Sequence, residues 1–365
     1  MSGGAERSGG SGGSPAAAGP TASKPSAATG GYLSVVSLFS GCGGMDLGFA
    51  GGFEFLGRRY PETGMEVVWA NDANPAACDT YRLNFGDRVV TGDVYAAMAS
   101  MPPSADLVIG GFPCQDISVN GKMLGLDGKR SALYAAIVET VGRLGPRAFV
   151  AENVGGILMK RHAAAFAKIL SDFGDLGYSV HARAYQAADY GVPQTRTRVF
   201  IVGTRADQAA FRPPRPTAGK RVTAREAIGD LEALEADPGF SHVWSLARES
   251  PEQGSRRLLA DRPGFTVRAE CHGNIHFHYS LPRRISMREA ARLQSFPDGF
   301  RFASKLRETE RQIGNAVPPV LAWHVAAAVK AALEGLSPLR AGNFLVTERF
   351  LAQAPQGSRR GVPVV

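Results

Sequence analysis

From Tyr32 onward, short aliphatic runs alternate with stretches whose apolar residues recur at helical spacing. SVVSLF (34–39) reads as a strand, and the glycine turn SGCGGM leads from it into a helix-compatible stretch. MEVVWA (65–70) is a second strand ending in Asn71-Asp72, with a helix predicted over PAACDTYRLNF. RVV (88–90) is a third strand that ends near Asp93, and ADLVIGG (105–111) is a fourth, with Cys114 just beyond it. RSALYAAIVETVGRL (130–144) has helical spacing, and RAFVAENV (147–154) is a fifth strand that brings in Glu152. AAAFAKILSDFGDLG is a helix closed by glycine, and RVFIVGTR (198–205) is a later strand. Strands alternating with helices predict a doubly wound α/β sheet.

Asp72, Asp93, Cys114 and Glu152 each fall at or just past the carboxyl end of a predicted strand. In open parallel sheets that edge is where ligands bind. Four reactive side chains at one edge mark a site. The alternation stops between residues 206 and 283, where FRPPRPTAGKR and DRPGFTVRAECHGN are rich in Pro and Arg. That stretch is expected to be a smaller, irregular domain after a first domain over 32–205. MREAARLQSF (287–296) returns to helix, and VPPVLAWHVAAAVKAALEGL (317–336) is an apolar helix, so 284–336 is expected to pack back on the first domain. Residues 1–31 are Gly, Ser, Ala and Pro with little to bury, a composition expected to be disordered. The tail over 337–365 has no clear reading.

Composition adds limits rather than detail. With 365 residues, 44% of them hydrophobic, the chain can bury a proper core. A net charge of +8 leans toward a polyanionic partner such as nucleic acid. The four cysteines, Cys42, Cys78, Cys114 and Cys271, lie far apart with no CxxC pair, which suits reduced thiols in a cytoplasmic setting. No apolar stretch is expected to reach membrane-spanning length, and the N-terminus lacks the apolar core of a signal peptide.

Individual stretches narrow the chemistry. SLFSGCGGMDLGF (37–49) sets glycines directly after the first strand, where small residues let a cofactor approach the backbone. The spacing is not GxGxxG and no GK[ST] follows, so nucleotide phosphates are not favoured. Asp72 at the end of the second strand suits the hydroxyls of a ribose, hence an adenosine-type cofactor. In GGFPCQDISVNGK (110–122), Cys114 stands behind Pro113 in a loop rather than a core, the setting of a nucleophile. Glu152 in AENVGG shares its edge and becomes a general-acid candidate if burial raises its pKa. QTRTRVFIVG places Arg196 and Arg198 two apart, expected to share one face and clamp a phosphate or a polarised carbonyl; a surface ion pair is the alternative. Asn315 in RQIGNAVPPVLA has helix capping as its plain alternative. Cys271, His272, His276 and His278 cluster, but without a CxxC partner no metal is expected, and His276–Tyr279 reads as a strand.

Together these segments resemble the DNA cytosine-5 methyltransferase family, in family order from about residue 34 to 330. FSGCGG is similar to its cofactor loop, GFPCQDIS to its proline–cysteine motif, AENV to its glutamate motif and QTRTR to its paired-arginine motif. RRISMREAARLQSFPDGF and RQIGNAVPP resemble its two late motifs. The resemblance implies a Rossmann-like sheet binding S-adenosyl-L-methionine, with Phe39, Ser40, Gly41, Gly43, Gly44, Asp72, Asp93, Pro113 and Asn315 around it. Ala73 stands where many members carry a bulkier apolar residue against the adenine. It further implies a covalent Cys114–C6 adduct on a flipped cytosine in duplex DNA, with Glu152, Arg196 and Arg198 completing the catalytic set. By the same analogy, residues 206–283 are a target recognition domain. Gln115, Ser118, Asn120, Lys122, Arg256, Arg257, Arg262, Arg268, His272 and Asn274 are the expected DNA contacts. A monomeric modification enzyme paired with a restriction endonuclease is the expected setting. A transfer-RNA cytosine-5 methyltransferase and a non-catalytic DNA-binding paralogue are the alternatives.

Overall fold

The computed structural model describes residues 31–113, 133–217, 219–246, 257–269 and 276–336, and those from Tyr32 on fold as one compact unit. β1 (Leu33–Leu38) leads into the short helix α1 (Gly44–Ala50), and a hairpin of β2 (Phe53–Phe55) and β3 (Arg58–Tyr60) follows. β4 (Met65–Asp72), α2 (Pro75–Phe85), β5 (Val89–Thr91), α3 (Val94–Ala97) and β6 (Leu107–Gly111) continue the alternation. α2 starts where the sequence says it must: Asn74 caps the amides of Ala76 and Ala77, and Pro75 opens the first turn. After α4 (Leu133–Leu144) come β7 (Ala148–Val154), α5 (Ala163–Gly174), β8 (Tyr178–Gln186), β9 (Gln194–Thr195) and β10 (Thr197–Arg205).

Seven strands form one sheet in the order β5-β4-β1-β6-β7-β10-β8. The first five are parallel, while β10 runs antiparallel between β7 and β8. The sheet is therefore mixed, and with helices on both faces it is the doubly wound α/β sheet expected. From β1 the chain builds outward through β4 and β5, then returns to add β6 and β7 on the other side. That reversal opens a crevice beyond the carboxyl end of β1.

Alternate residues of each strand feed opposite cores, as a period of two requires. Val35, Leu107, Ile109, Val150 and Phe200 pack with α1 and the C-terminal helix. Val36, Val108, Phe149, Val199 and Ile201 pack toward α3, α4 and α5.

Beyond β10 the regular pieces are short: α6 (Ala224–Ile228), β11 (Gly264–Phe265), which pairs with β9, and α7 (Met287–Leu293). The expected strand at His276–Tyr279 is only a bridge at Phe277, which meets Arg257 and Arg284. Ile228, Leu258 and Val267 share a third core with Ile285, Leu293, Phe296 and Ile313, so 206–283 and the late motifs are apolar neighbours. α8 (Leu306–Asn315) and α9 (Pro319–Leu333) finish the described chain. Contrary to expectation, Leu306–Leu333 is long and apolar enough to span a membrane by composition; it is broken at 316–318 and mostly buried.

Candidate active site

The crevice is a cavity of about 1030 Å³ lined from both walls. Its floor is the loop after β1. Phe39 adopts φ +55°, a conformation strained for a residue with a side chain, and so turns the chain sharply at the strand end. Ser40 is fixed by the Asn71 carbonyl, which accepts its amide at 3.0 Å and its hydroxyl at 3.3 Å. Beyond its chain neighbours, no atom of the described residues lies within 4 Å of where a Cβ would stand at Gly41, so the loop backbone faces open space among them. Gly44 lines the cavity as expected, but Gly43 does not: a Cβ there would strike the Phe85 ring, and its φ of +92° needs glycine.

Acidic groups stand opposite. Asp72 accepts the Gly41 amide through one oxygen and the Asn74 amide through the other, each at 2.8 Å. Burial still pushes its carboxyl above the usual range, against these two bonds. Asp93 caps α3 by accepting the amides of Tyr95 and Ala96, and lines the cavity from there. Pro113, Asn315 and the exposed Ala73 also line it. Asn315 is the last residue of α8 and caps nothing; α9 begins after Pro318 without a side-chain cap.

The reactive corner lies between β6 and β7. Their register sets Gly111 beside Glu152. A Cβ at Gly111 would stand 3.0 Å from Glu152 Oε2, so glycine leaves the carboxyl its room. Glu152 is buried, and Arg198 Nε reaches its Oε1 at 2.7 Å. Burial raises the Glu152 pKa, and the Arg198 charge opposes that rise. Asn153 donates from Nδ2 to the Phe112 carbonyl at 2.9 Å, holding the chain two residues before position 114. The sequence reading gave Asn153 no role, since nothing in its spacing announces a bond across 41 residues.

Arg196 and Arg198 both line the cavity, yet their guanidinium groups serve different partners. Arg196 falls in the break between β9 and β10, so strand alternation does not carry through it. It is 1% exposed and donates to the carbonyls of Val267, Gly314 and Ala316, while Nε has no hydrogen-bond partner among the described residues.

Of the expected DNA contacts, Arg268 is exposed and lines the cavity, and Arg262 is exposed. Arg257 is half-buried, and it donates to the carbonyls of His278 and Leu281. Cys114, Gln115, Ser118, Asn120, Lys122, Arg256, His272 and Asn274 lie outside the described residues. Among the described residues no group of three His, Cys, Asp or Glu side chains is placed to hold a metal. His276 and His278 are buried instead, with His278 Nδ1 accepting the amides of Ser280 and Leu281.

Residues 33–243 and 247–331 match the C-5 cytosine-specific DNA methylase family. The chain belongs to that family. It is a DNA cytosine-5 methyltransferase of the restriction-modification type, and its cofactor is S-adenosyl-L-methionine. It is 38% identical to the Type II methyltransferase M.NgoFVII of Neisseria gonorrhoeae over 321 residues, 78% of this chain and 83% of that one. The Type II methyltransferase M.BbvI of Brevibacillus brevis is 36% identical over 328 residues, 77% of this chain and 86% of that one. Among solved structures, Dnmt2 of S. pombe shares the fold at a TM-score of 0.59 with 18% identity, covering 83% of this chain and 99% of its own.

The cavity fits the cofactor. Open space over Gly41, two carboxylates at the ends of β4 and β5, and apolar walls at Phe39 and Val317 suit a ribose, an adenine and a positively charged methionine part.

Proposed function

We propose that the methyltransferase works through a covalent adduct between Cys114 and C6 of a cytosine flipped out of duplex DNA. S-adenosyl-L-methionine, when bound, supplies an electrophilic methyl group. Phe39, Ser40, Gly41, Gly44, Asp72, Asp93, Pro113 and Asn315 would hold it. The Cys114 thiolate adds its electron pair to C6, and the C5–C6 π electrons shift toward the ring nitrogen N3. Glu152 donates a proton at N3, and burial that raises its pKa keeps more of it protonated near neutral pH. C5 thereby becomes nucleophilic toward the methyl. Once C5 carries the methyl, solvent water takes the C5 proton. The C–H electron pair re-forms the C5–C6 double bond and expels the Cys114 thiolate from C6, and N3 returns its proton to Glu152. Arg198, held against Glu152, orients that carboxyl and would face the pyrimidine O2. The target carbon is out of reach in a stacked duplex, which is why the base must leave the helix.

One observation carries the reading. The β6–β7 register sets Glu152 beside Gly111, and Asn153 fastens Phe112, so the residues that precede Cys114 in sequence lie beside the proposed general acid. We further infer that 206–283 reads the DNA, with Arg256, Arg257, Arg262, Arg268, His272 and Asn274 as its contacts. Gln115, Ser118, Asn120 and Lys122 are proposed to close on the same DNA. A monomer acting on chromosomal DNA beside a restriction endonuclease of the same site completes the proposal.

The test offers tritiated S-adenosylmethionine to duplex DNA and to transfer RNA, with wild type and Cys114→Ser. Label in DNA that is trapped with protein and lost in the variant supports the mechanism. Undiminished transfer by Cys114→Ser overturns it, and label in RNA alone overturns the substrate.

A further inference from the structure

Two side chains of the QTRTR stretch join three distant segments. Gln194 is fully buried, and its Oε1 accepts the Val267 amide at 3.0 Å. Its Nε2 donates to the Leu293 carbonyl at 3.0 Å and to Gln294 Oε1 at 2.6 Å. Arg196, two residues on, takes the other side of the same residue: Nη1 donates to the Val267 carbonyl at 2.7 Å. Nη2 donates to Gly314 and Ala316 at 2.6 and 3.2 Å, and Gln294 Nε2 adds a bond to Ala316 at 2.5 Å.

Val267 is thus gripped at both its N–H and its C=O. The carbonyls of Gly314 and Ala316 flank Asn315, which lines the cavity and is one of the residues proposed to hold the cofactor. Contact between the two segments is direct as well, since a Cβ at Gly314 would collide with the backbone of Arg268 and Ala269. A buried guanidinium is costly unless its N–H groups find acceptors, and here those acceptors are main-chain carbonyls. The planar fork reaches carbonyls in two directions at once, a geometry that lysine lacks.

We propose that Gln194 and Arg196 are positioning residues. They lock the Gly264–Ala269 segment to the Gly314–Ala316 loop, so the wall that meets DNA and the wall that meets the cofactor keep one spacing. This rests on the reading of 206–283 as the DNA-recognition part. It separates the two arginines of the motif: Arg198 serves the reacting base through Glu152, while Arg196 acts through the backbone it holds.

The experiment compares the full chain with Arg196→Lys and the milder Gln194→Ala. Steady-state methylation of unmethylated bacterial genomic DNA, calorimetric binding of S-adenosylhomocysteine, and hydrogen exchange over 264–269 are measured. Loss of a charge-assisted bond predicts a DNA KM roughly tenfold higher for Arg196→Lys, with kcat within about threefold. S-adenosylhomocysteine affinity falls less than the DNA KM rises, by a few-fold at most, since the loop after β1 and Asp72 are untouched and only the carbonyls beside Asn315 lose a donor. Exchange over 264–269 speeds up in both variants, and methylation spreads to degenerate sites. A fall in kcat with unchanged DNA KM and unchanged exchange places Arg196 at the reacting base and overturns the proposal. Equal losses in cofactor binding and in exchange along the whole chain overturn it too, as a general folding defect. Wild type that labels no DNA overturns the reading of 206–283, and is told apart because the exchange comparison needs no substrate.

Discussion

The carboxyl edge of the sheet and the strip beyond β10 hold their residues by different bonds. At the edge, Gly111 and Glu152 face each other because two parallel strands share a backbone ladder. Asp72 sits at the end of β4 for the same reason. In the strip, α6 has five residues and β11 two, and long side chains supply the bonds that strands would have made. Arg288, 1% exposed, donates to the carbonyls of Phe240, Pro297 and Phe300. Arg292 pairs with Asp298 through two bonds and also meets Asp230 and the Ala227 carbonyl. Gln194 and Arg196 do the same at the seam. A ladder fixes position whatever the side chains are, whereas the strip stores its geometry in particular arginines. An enzyme that keeps one chemistry while changing its DNA site gains from that division.

If this contrast holds, substitutions at the edge should change chemistry and leave folding largely intact, and those in the strip should do the reverse. The largest effect is expected at Glu152→Gln, with kcat reduced by about 10²–10⁴-fold and an unchanged far-ultraviolet circular dichroism spectrum. Because the Glu152 pKa is raised and its acid form is the one proposed to work, wild-type kcat should fall as pH rises through that pKa. The variant should lose this limb; a limb that persists would assign it to another group. Next, Arg288→Met removes three bonds from a buried cation and should cost about 3 kcal/mol in urea unfolding. A loss within experimental error would show that the strip does not depend on its arginines.

Asp46 gives a smaller, pH-dependent test beneath the cofactor loop. It is fully buried, accepts the Tyr81 hydroxyl at 3.0 Å, and burial pushes its carboxyl up to about 6. Its unfolded value is lower, so between those values the folded state holds the extra proton. Stability contributed by the neutral form is therefore present at acid pH and lost as pH rises to about 6. Asp46→Asn should flatten that slope, a difference of roughly 1–3 kcal/mol between acid and neutral pH. An equal slope in both proteins would reject the assignment. The smallest effect belongs to Ser286→Ala, which deletes the hydroxyl half of a capping box with Glu289 at the start of α7 and should cost about 1 kcal/mol.

What was legible in the sequence follows the same division. The strands of the parallel part and α2 were readable because aliphatic runs, a capping Asn and a Pro each act locally. β8 was missed: Tyr178–Gln186 buries only Tyr178 and Tyr185 fully, so its pattern lacks the clean alternation of a half-buried strand. His276–Tyr279 looked like a strand because buried histidines imitate that alternation, but only Phe277 pairs. The site acids and the paired arginines could be named from strand ends and spacing. The bonds that Asn153, Gln194 and Arg196 make could not, because each reaches partners 41 to 120 residues away. No local periodicity reports such bonds.

α1, which carries the chain away from the cofactor loop, is pressed against α9 so closely that a Cβ at Gly48 would run into Pro319, Ala322 and Trp323. The first helix of the fold therefore finds its packing partner only in the last one described. During synthesis at bacterial rates, the ribosome needs tens of seconds to travel from one to the other. Over that interval the nascent chain has its cysteine, its glutamate and its glycine loop but no finished cavity. Methylation capacity would then switch on late and all at once, and a message cut short before α9 would yield a protein that leaves the chromosome unmarked.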